Sequence, residues 1–263
     1  MKVGYFQLNP KFGEIEENVK YVLEKLSEVE ADLVVLPELF NTGYQFVSKD
    51  EVTQLSEDVP GGFTTQCLVS LCNQRDFYVV AGLAEKANHA YFNSAILVGP
   101  EGLIGLYRKT HLFAEEKTFF EPGDTGFKVF DIGPAKVGLM VCFDWLFPES
   151  ARSLALNGAD IICHSANLVL PYCPDAMVTR CLENHVFAVT ANRIGFEERG
   201  GKKRLTYIGK SEIVSPEGEI LLRAGDDNEE LAIFEIDPAL ARNKQVNRYN
   251  NIFSDRRPDL YVC

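Results

Sequence analysis

Residues 136–149 read KVGLMVCFDWLFPE. An apolar strand pattern (Val137, Leu139, Met140, Val141) gives way to a cysteine, an acid and the chain's one tryptophan, then to Pro148 and Glu149, a helix start. A side chain at such a junction is held by rigid elements and faces the crevice beyond the strand's carboxyl end. It can also use the following backbone N–H groups as anion donors. Cys142 is therefore read as a nucleophile, although free cysteine is also among the most buried residue types and the assignment needs partners. Thiolate attack on an amide or nitrile carbon requires a base that takes the thiol proton and returns it to nitrogen. It also requires a cation or dipoles for the developing charge and a way to place water. Glu38, after Pro37 at the end of a buried apolar run, is the candidate base, because desolvation there raises a carboxyl pKa toward neutrality. Lys109, in YRKTHLF, leaves the second strand of a hairpin and can carry a fixed positive charge into the crevice. Taken singly, Glu38 reads as a solvated loop acid and Lys109 as a surface lysine.

The elements that must position these groups follow from periodicity. Residues 3–8 read as a strand, and 18–29 as an amphipathic helix with Val19, Val22, Leu23, Leu26 and Val29 at helical spacing. ADLVVLPE (31–38) suits a strand buried on both faces. After a loop over 39–60, Thr64 or Thr65 is the expected cap of a helix carrying Leu68, Leu71 and Cys72, followed by a strand over 77–83. A hairpin pairs 93–98 with 103–107 through Gly99-Pro100-Glu101-Gly102. The second half repeats this order: KVG at Lys2 returns at Lys136, ADLVVLPE as ADIICHSA at Ala159, FYVVAG at Phe77 as FAVTAN at Phe187, and GPEG at Gly99 as SPEG at Ser215. Its helices carry Ala151, Leu154 and Ala155, stopping at Gly158, and span about 175–185. Two such halves bury their bare sheets against each other and leave the helices outside. The expected fold is thus α/β, a four-layer α-β-β-α sandwich with an internal pseudo-twofold repeat, in a single domain over residues 1–263. Residues 238–263 form a polar, aromatic-dotted tail without a core period, expected to contact a partner subunit.

At 263 residues and 46% hydrophobic content the chain can bury one large core. A net charge of -12, from 38 acidic and 26 basic residues, argues against nucleic acid or an anionic membrane as partner and for a cytoplasmic protein. The N-terminal apolar run is too short for a signal peptide and no stretch reaches the length of a membrane span. Seven cysteines without a secretion signal read as reduced thiols. No CxxC pair exists and the four histidines are scattered, so neither metal nor other cofactor is expected.

LPELFNTGY around Glu38, YRKTHLF around Lys109 and VCFDWLFPE around Cys142, in that order and spacing, closely resemble the signatures of the nitrilase superfamily, the carbon-nitrogen hydrolases. The resemblance extends over essentially the whole chain, including HSANLVLP and DRRPDLY. It implies the α-β-β-α sandwich, a Glu-Lys-Cys triad, a thioester intermediate, no cofactor, and a homodimer or larger homo-oligomer. Carried over by residue, Cys142 is the nucleophile, Glu38 the general base and then acid, and Lys109 the oxyanion stabiliser, aided by the backbone N–H of Phe143. Glu116, in HLFAEEKTFFEPGD, matches a second glutamate that positions substrate or triad, with Glu115 the competing assignment. Asn167 reads equally as a pocket residue or a cap of the next turn. True nitrilases commonly follow the nucleophile with Trp-Glu, whereas Phe143-Asp144 stands here, as in the amidase and carbamoylase branches. No clear basic residue lies near Cys142 for a substrate carboxylate; Arg152 comes a helix turn or two later. The expected reaction is hydrolysis of a small linear carboxamide to carboxylate and ammonia. The alternatives are an aliphatic nitrilase, an N-carbamoyl amidase, a Cys-His enzyme using His111 or His164, and a non-catalytic interaction protein.

Overall fold

A computed structural model describes residues 1–261, which leaves Cys263 outside the described residues. The first half runs β1 (Lys2–Gln7), α1 (Ile15–Ser27), β2 (Leu33–Val35), α2 (Lys49–Leu55), α3 (Phe63–Arg75), β3 (Tyr78–Ala87), β4 (Ala90–Gly99), β5 (Gly102–Arg108) and the single turn α4 (Glu116–Phe119). The second runs β6 (Val129–Asp131), β7 (Lys136–Val141), α5 (Pro148–Leu156), β8 (Ile161–Ser165), α6 (Cys173–Asn184) and β9 (Phe187–Ala191). It continues through β10 (Phe196–Glu197), β11 (Leu205–Thr206), β12 (Glu212–Val214), β13 (Ile220–Arg223) and β14 (Glu230–Glu235).

Two six-stranded sheets result, ordered β14-β1-β2-β3-β4-β5 and β6-β7-β8-β9-β12-β13. Within them β1-β2-β3 and β7-β8-β9 are parallel and the hairpins antiparallel, so the repeat seen in the sequence is a repeat of topology. It is more complete than expected. β14, a strand not anticipated from the sequence, pairs antiparallel with β1 as β6 pairs with β7, closing the same edge of each sheet.

Side-chain alternation divides the layers, because successive strand residues point to opposite faces. Val3, Tyr5, Leu33, Val35, Val80, Ala95 and Leu97 join Val137, Leu139, Ile161, Cys163 and Val189 in the core shared by the sheets. Their neighbours Phe6, Val34, Leu36, Val79, Ala81 and Ile96 turn the other way, onto Val19, Val22 and Leu26 of α1 and Leu68 and Cys72 of α3. This is the four-layer α-β-β-α sandwich.

Three local expectations are corrected. The helix read as 18–29 begins and ends earlier, with Glu16 and Glu17 in its first turn and Lys25 in its last, the arrangement that complements the helix dipole. Neither Thr64 nor Thr65 caps α3: Gly62 takes that position in extended conformation and both threonines are buried within the first turn. The segment read as a loop over 39–60 contains α2, whose cap Ser48 accepts a hydrogen bond from the Glu51 N–H.

Of the tail, Pro238 and Ala241 are buried, and Lys244 donates to the Asn184 and His185 carbonyls at the end of α6. Val246, Tyr249 and Leu260 stand exposed.

One glycine ties the fold to the crevice above the strand ends. The turn after β2 lies across β3, with Gly82 N–H donating to the Pro37 carbonyl and Phe40 N–H to the Gly82 carbonyl. A Cβ at Gly82 would fall 2.5 Å from Glu38 Cα and 2.9 Å from the Leu39 nitrogen, so only a glycine admits this approach. Gly82→Ala is expected to cost ~1–3 kcal/mol by overpacking, a fall in thermal midpoint of about 2–10 °C by calorimetry. An unchanged midpoint would mean that the turn is free to move.

Candidate active site

Glu38, Lys109 and Glu116 come from the turn after β2, the residue after β5 and the start of α4, and the fold buries all three. Lys109 Nζ donates to Glu38 Oε1 at 2.6 Å and to Glu116 Oε1 at 2.8 Å. Its backbone N–H is fixed to the Asn93 carbonyl, and the Asn93 side-chain amide donates to the same Glu38 oxygen at 2.6 Å. Glu116 is held in turn by the Phe113 N–H on its other oxygen. An ammonium out of water is tolerated only with such pairing. Burial pulls the Lys109 pKa down, but Glu116 and then Glu38 outweigh it and hold the group charged, above the ordinary lysine value. Burial pushes Glu38 up to about 7, with Lys109 pulling back and Glu116 adding to the rise. Its second oxygen, Oε2, is buried with no hydrogen-bond partner among the described residues. A carboxyl that titrates near neutrality with one uncommitted oxygen is equipped to take and return a proton.

Cys142 is the first residue after β7, opening a 3-10 turn over Cys142–Leu146, and it adopts φ of +42°. For a residue with a Cβ this left-handed conformation is strained and must be held by its surroundings. Polar contacts from two sides hold it. The Asp144 carboxylate accepts from Val141 N–H, from Tyr107 Oη at 2.7 Å, and from the backbone and Nδ1 of His111. Behind the turn, His164 Nε2 donates to the Cys142 carbonyl at 2.9 Å, while Nδ1 faces Thr190 Oγ1. Burial lowers the His164 pKa to about 4, so this ring is neutral at pH 7. The Cys-His alternative is corrected by these partners: both imidazoles are engaged elsewhere, and neither is hydrogen-bonded to the sulfur. Burial raises the Cys142 thiol pKa well above the ordinary value, Glu38 raises it further and Lys109 lowers it. The thiol is therefore protonated at rest and needs a base.

Asn167 follows β8 and lines the small cleft at Cys142 together with Phe113, Phe143, Trp145 and Leu168. It caps nothing. Its side-chain amide donates to the Glu38 backbone carbonyl at 2.8 Å, so one half of the repeat fixes the acid carried by the other. Phe143 packs against Phe113 and Phe147 at the same cleft. Glu115, by contrast, is exposed and paired with Lys202, which separates it from Glu116. Arg152 points away, donating to the Glu183 carbonyl. Among the described residues no cluster of His, Cys, Asp or Glu is arranged to hold a metal ion.

A buried pair far from the motifs sets the position of Tyr44. Glu197 accepts from the Tyr44 and Gln45 N–H groups, from Tyr207 Oη and from Arg193 Nη1, and Arg193 itself is 1% exposed. Burial raises the Tyr44 phenol well above its ordinary pKa, and the charges of Glu116, Glu38 and Cys142 add to this. Nothing in the sequence around Arg193 or Glu197 signals this clamp. Glu197→Ala leaves a buried guanidinium without its carboxylate and is expected to cost ~3–5 kcal/mol in denaturant unfolding, with Glu197→Gln costing less. Equal, small losses for both would show that the ion pair carries no charge-dependent stability.

A family model for carbon-nitrogen hydrolases matches residues 2–245. A nitrilase of Pyrococcus abyssi is 52% identical over 99% of both chains. An (R)-stereoselective amidase of a Pseudomonas species is 36% identical over 98% of this chain and 92% of its own. The crystal structure of a carbon-nitrogen hydrolase from Helicobacter pylori superposes with a TM-score of 0.89 at 28% identity, covering 99% of this chain and 97% of that one. The match over nearly the whole chain and the superposed fold agree: the chain belongs to the carbon-nitrogen hydrolase family of the nitrilase superfamily, and it is a hydrolase of carbon–nitrogen bonds other than peptide bonds.

Proposed function

We propose that the enzyme hydrolyses a small carboxamide to carboxylate and ammonia through a thioester on Cys142. The observation that carries this reading is the buried Lys109 ammonium bridged between Glu38 and Glu116 beside the strained cysteine turn. Glu38 Oε2 takes the Cys142 proton as the sulfur adds to the carbonyl carbon. The oxygen that becomes anionic meets the Lys109 ammonium and the Phe143 N–H, an amide at the start of its turn where no earlier helical carbonyl accepts it. Protonated Glu38 then gives its proton to nitrogen as the C–N bond breaks, and ammonia leaves. Water, deprotonated by Glu38, adds to the thioester; the C–S bond breaks, the carboxylic acid leaves, and the proton returns to sulfur. Glu116 positions Lys109, and Asn167 positions Glu38.

A nitrile substrate is the second reading, favoured by the name nitrilase on the Pyrococcus abyssi relative. Attack on a nitrile makes an imine-like nitrogen that must be protonated at once, whereas amide attack makes an anionic oxygen suited to a fixed ammonium. The Phe143-Asp144 pair supports the amide.

Exposed Leu156 of α5 and Leu182 of α6, with Val246, Tyr249 and Leu260 of the tail, give the outer face apolar side chains that water does not favour. A homodimer formed over this face covers them.

Hydroxylamine added during turnover should divert the thioester to a hydroxamate, detected by its ferric complex, and the product should vanish with Cys142→Ala. A hydroxamate formed by Cys142→Ala would exclude the sulfur as nucleophile. On a matched amide and nitrile of one acid, kcat/KM is expected to be higher for the amide; a tenfold nitrile preference would reverse the substrate reading and leave the triad standing. Removing residues 247–263 should lower the sedimentation mass, whereas an unchanged mass would confine the tail to its own subunit.

A further inference from the structure

The space at the thiol is too small to hold a substrate's acyl chain. The cleft lined by Cys142, Phe143 and Asn167 measures about 20 Å³, room for the reacting carbon and its leaving group and little more. A second cavity, of about 400 Å³, shares a wall with it. Phe113 lines both, Glu116 lines the second while holding Lys109, and Tyr44 lines it with its phenol in the field of Glu38, Glu116 and Cys142. Its remaining walls are apolar at Phe46, Phe119 and Leu205 and polar at Glu115, Lys202 and Lys203.

One wall of this cavity, Lys202, Lys203 and Leu205, comes from the segment running from β10 to β11, a two-stranded pair whose strands register Phe196 with Thr206 and Glu197 with Leu205. The buried Gln45 side chain fastens it, accepting from the Arg199 N–H at 2.7 Å and donating to the Lys203 carbonyl at 2.8 Å. Arg199 pairs with Glu51, and Lys202, itself a wall residue, pairs with Glu115 and donates to the Phe46 carbonyl, so polar ties hold this wall. The ties also consume the charges at the cavity. Glu115 is taken by Lys202 and Glu116 by Lys109, leaving no carboxylate for a substrate cation, while the exposed Lys203 also lines the cavity.

We infer that this cavity is the acyl pocket, and that the enzyme prefers amides with an uncharged apolar acyl chain several carbons long over both acetyl-sized and ammonium-bearing ones. The inference rests on the proposed amide hydrolysis and names its substrate class. Each methylene moved from water into such a pocket favours binding about threefold to fourfold, and an ammonium brought there without a partner is strongly disfavoured.

The test is kcat/KM for acetamide, hexanamide, 3-phenylpropanamide and 6-aminohexanamide, in the full-length enzyme and in Leu205→Trp, which fills the cavity from the β11 side. Hexanamide and 3-phenylpropanamide should exceed acetamide by at least ~30-fold. 6-Aminohexanamide should fall at least ~30-fold below hexanamide. Leu205→Trp should lower the ratio of hexanamide to acetamide by at least tenfold; a ratio within one preparation is independent of the fraction folded. Turnover of acetamide with no preference for chain length, or a ratio that Leu205→Trp leaves unmoved, would overturn the pocket assignment and leave the proposed hydrolysis standing. Turnover of none of the four, with no hydroxamate formed, would overturn both.

Discussion

One ammonium shared by two carboxylates, all three buried, is the interaction on which the site depends. Lys109 has no water to solvate it, so its charge is supported by Glu38 and Glu116, and each carboxylate is fixed in turn by an amide from elsewhere in the fold. Breaking one partner of such a set leaves an uncompensated charge, a penalty of ~3–5 kcal/mol that locks the geometry. The same burial has a chemical result. Desolvation opposes the charge on Glu38 more than Lys109 favours it, and this brings a carboxyl into the range where it can both accept and donate a proton at neutral pH. The cysteine thiol is raised as well, so the proposed nucleophile acts only when its proton has somewhere to go.

The duplicated sandwich explains how residues from distant segments meet. Parallel strands β1-β2-β3 and β7-β8-β9 end on the same crevice, and each half contributes what the other lacks. Glu38 and Lys109 come from the first half and Cys142 and Asn167 from the second, with the Asn167 amide on the Glu38 carbonyl stitching the two. The strained turn at Cys142 is held by Asp144, Tyr107, His111 and His164, so the polar side chains that a Cys-His mechanism would enlist serve instead to fix the backbone beneath the sulfur.

Much of this was legible in the sequence because it is local. The apolar runs at Val34 and Val137, the glycine-rich hairpin turns and the four returning segments carry their own periodicity, and the catalytic candidates sit at their ends. What was not legible depends on register across long sequence distances. Asn93 reaches Glu38 only because β4 pairs with β3 in one alignment, and β14 is a short, half-exposed edge strand whose place is set by β1 rather than by its own pattern. Asn167 could be read as a pocket residue, from the family resemblance, or as a cap; that it bonds to the Glu38 carbonyl follows from packing one sheet on the other. The Arg193–Glu197 clamp has no local signature, since its partners at residues 44 and 45 lie some 150 positions away in the chain. Gly62 displaced the threonines as the cap of α3 because Thr64 N–H is already satisfied by Glu57, leaving both side chains free to be buried.

The central claim is that burial against a shared ammonium moves Glu38 into the neutral range. Infrared difference titration of the protein with 13C-labelled glutamate, with Glu38→Gln as the subtracted reference, reads that carboxyl directly. Its protonated C=O band should persist below the midpoint and give way to carboxylate bands above it. The account predicts a midpoint of about 7. A midpoint near the ordinary glutamate value of ~4.3 would contradict it, since Glu38 would then be a permanent anion at neutral pH and no base of suitable strength would face the sulfur.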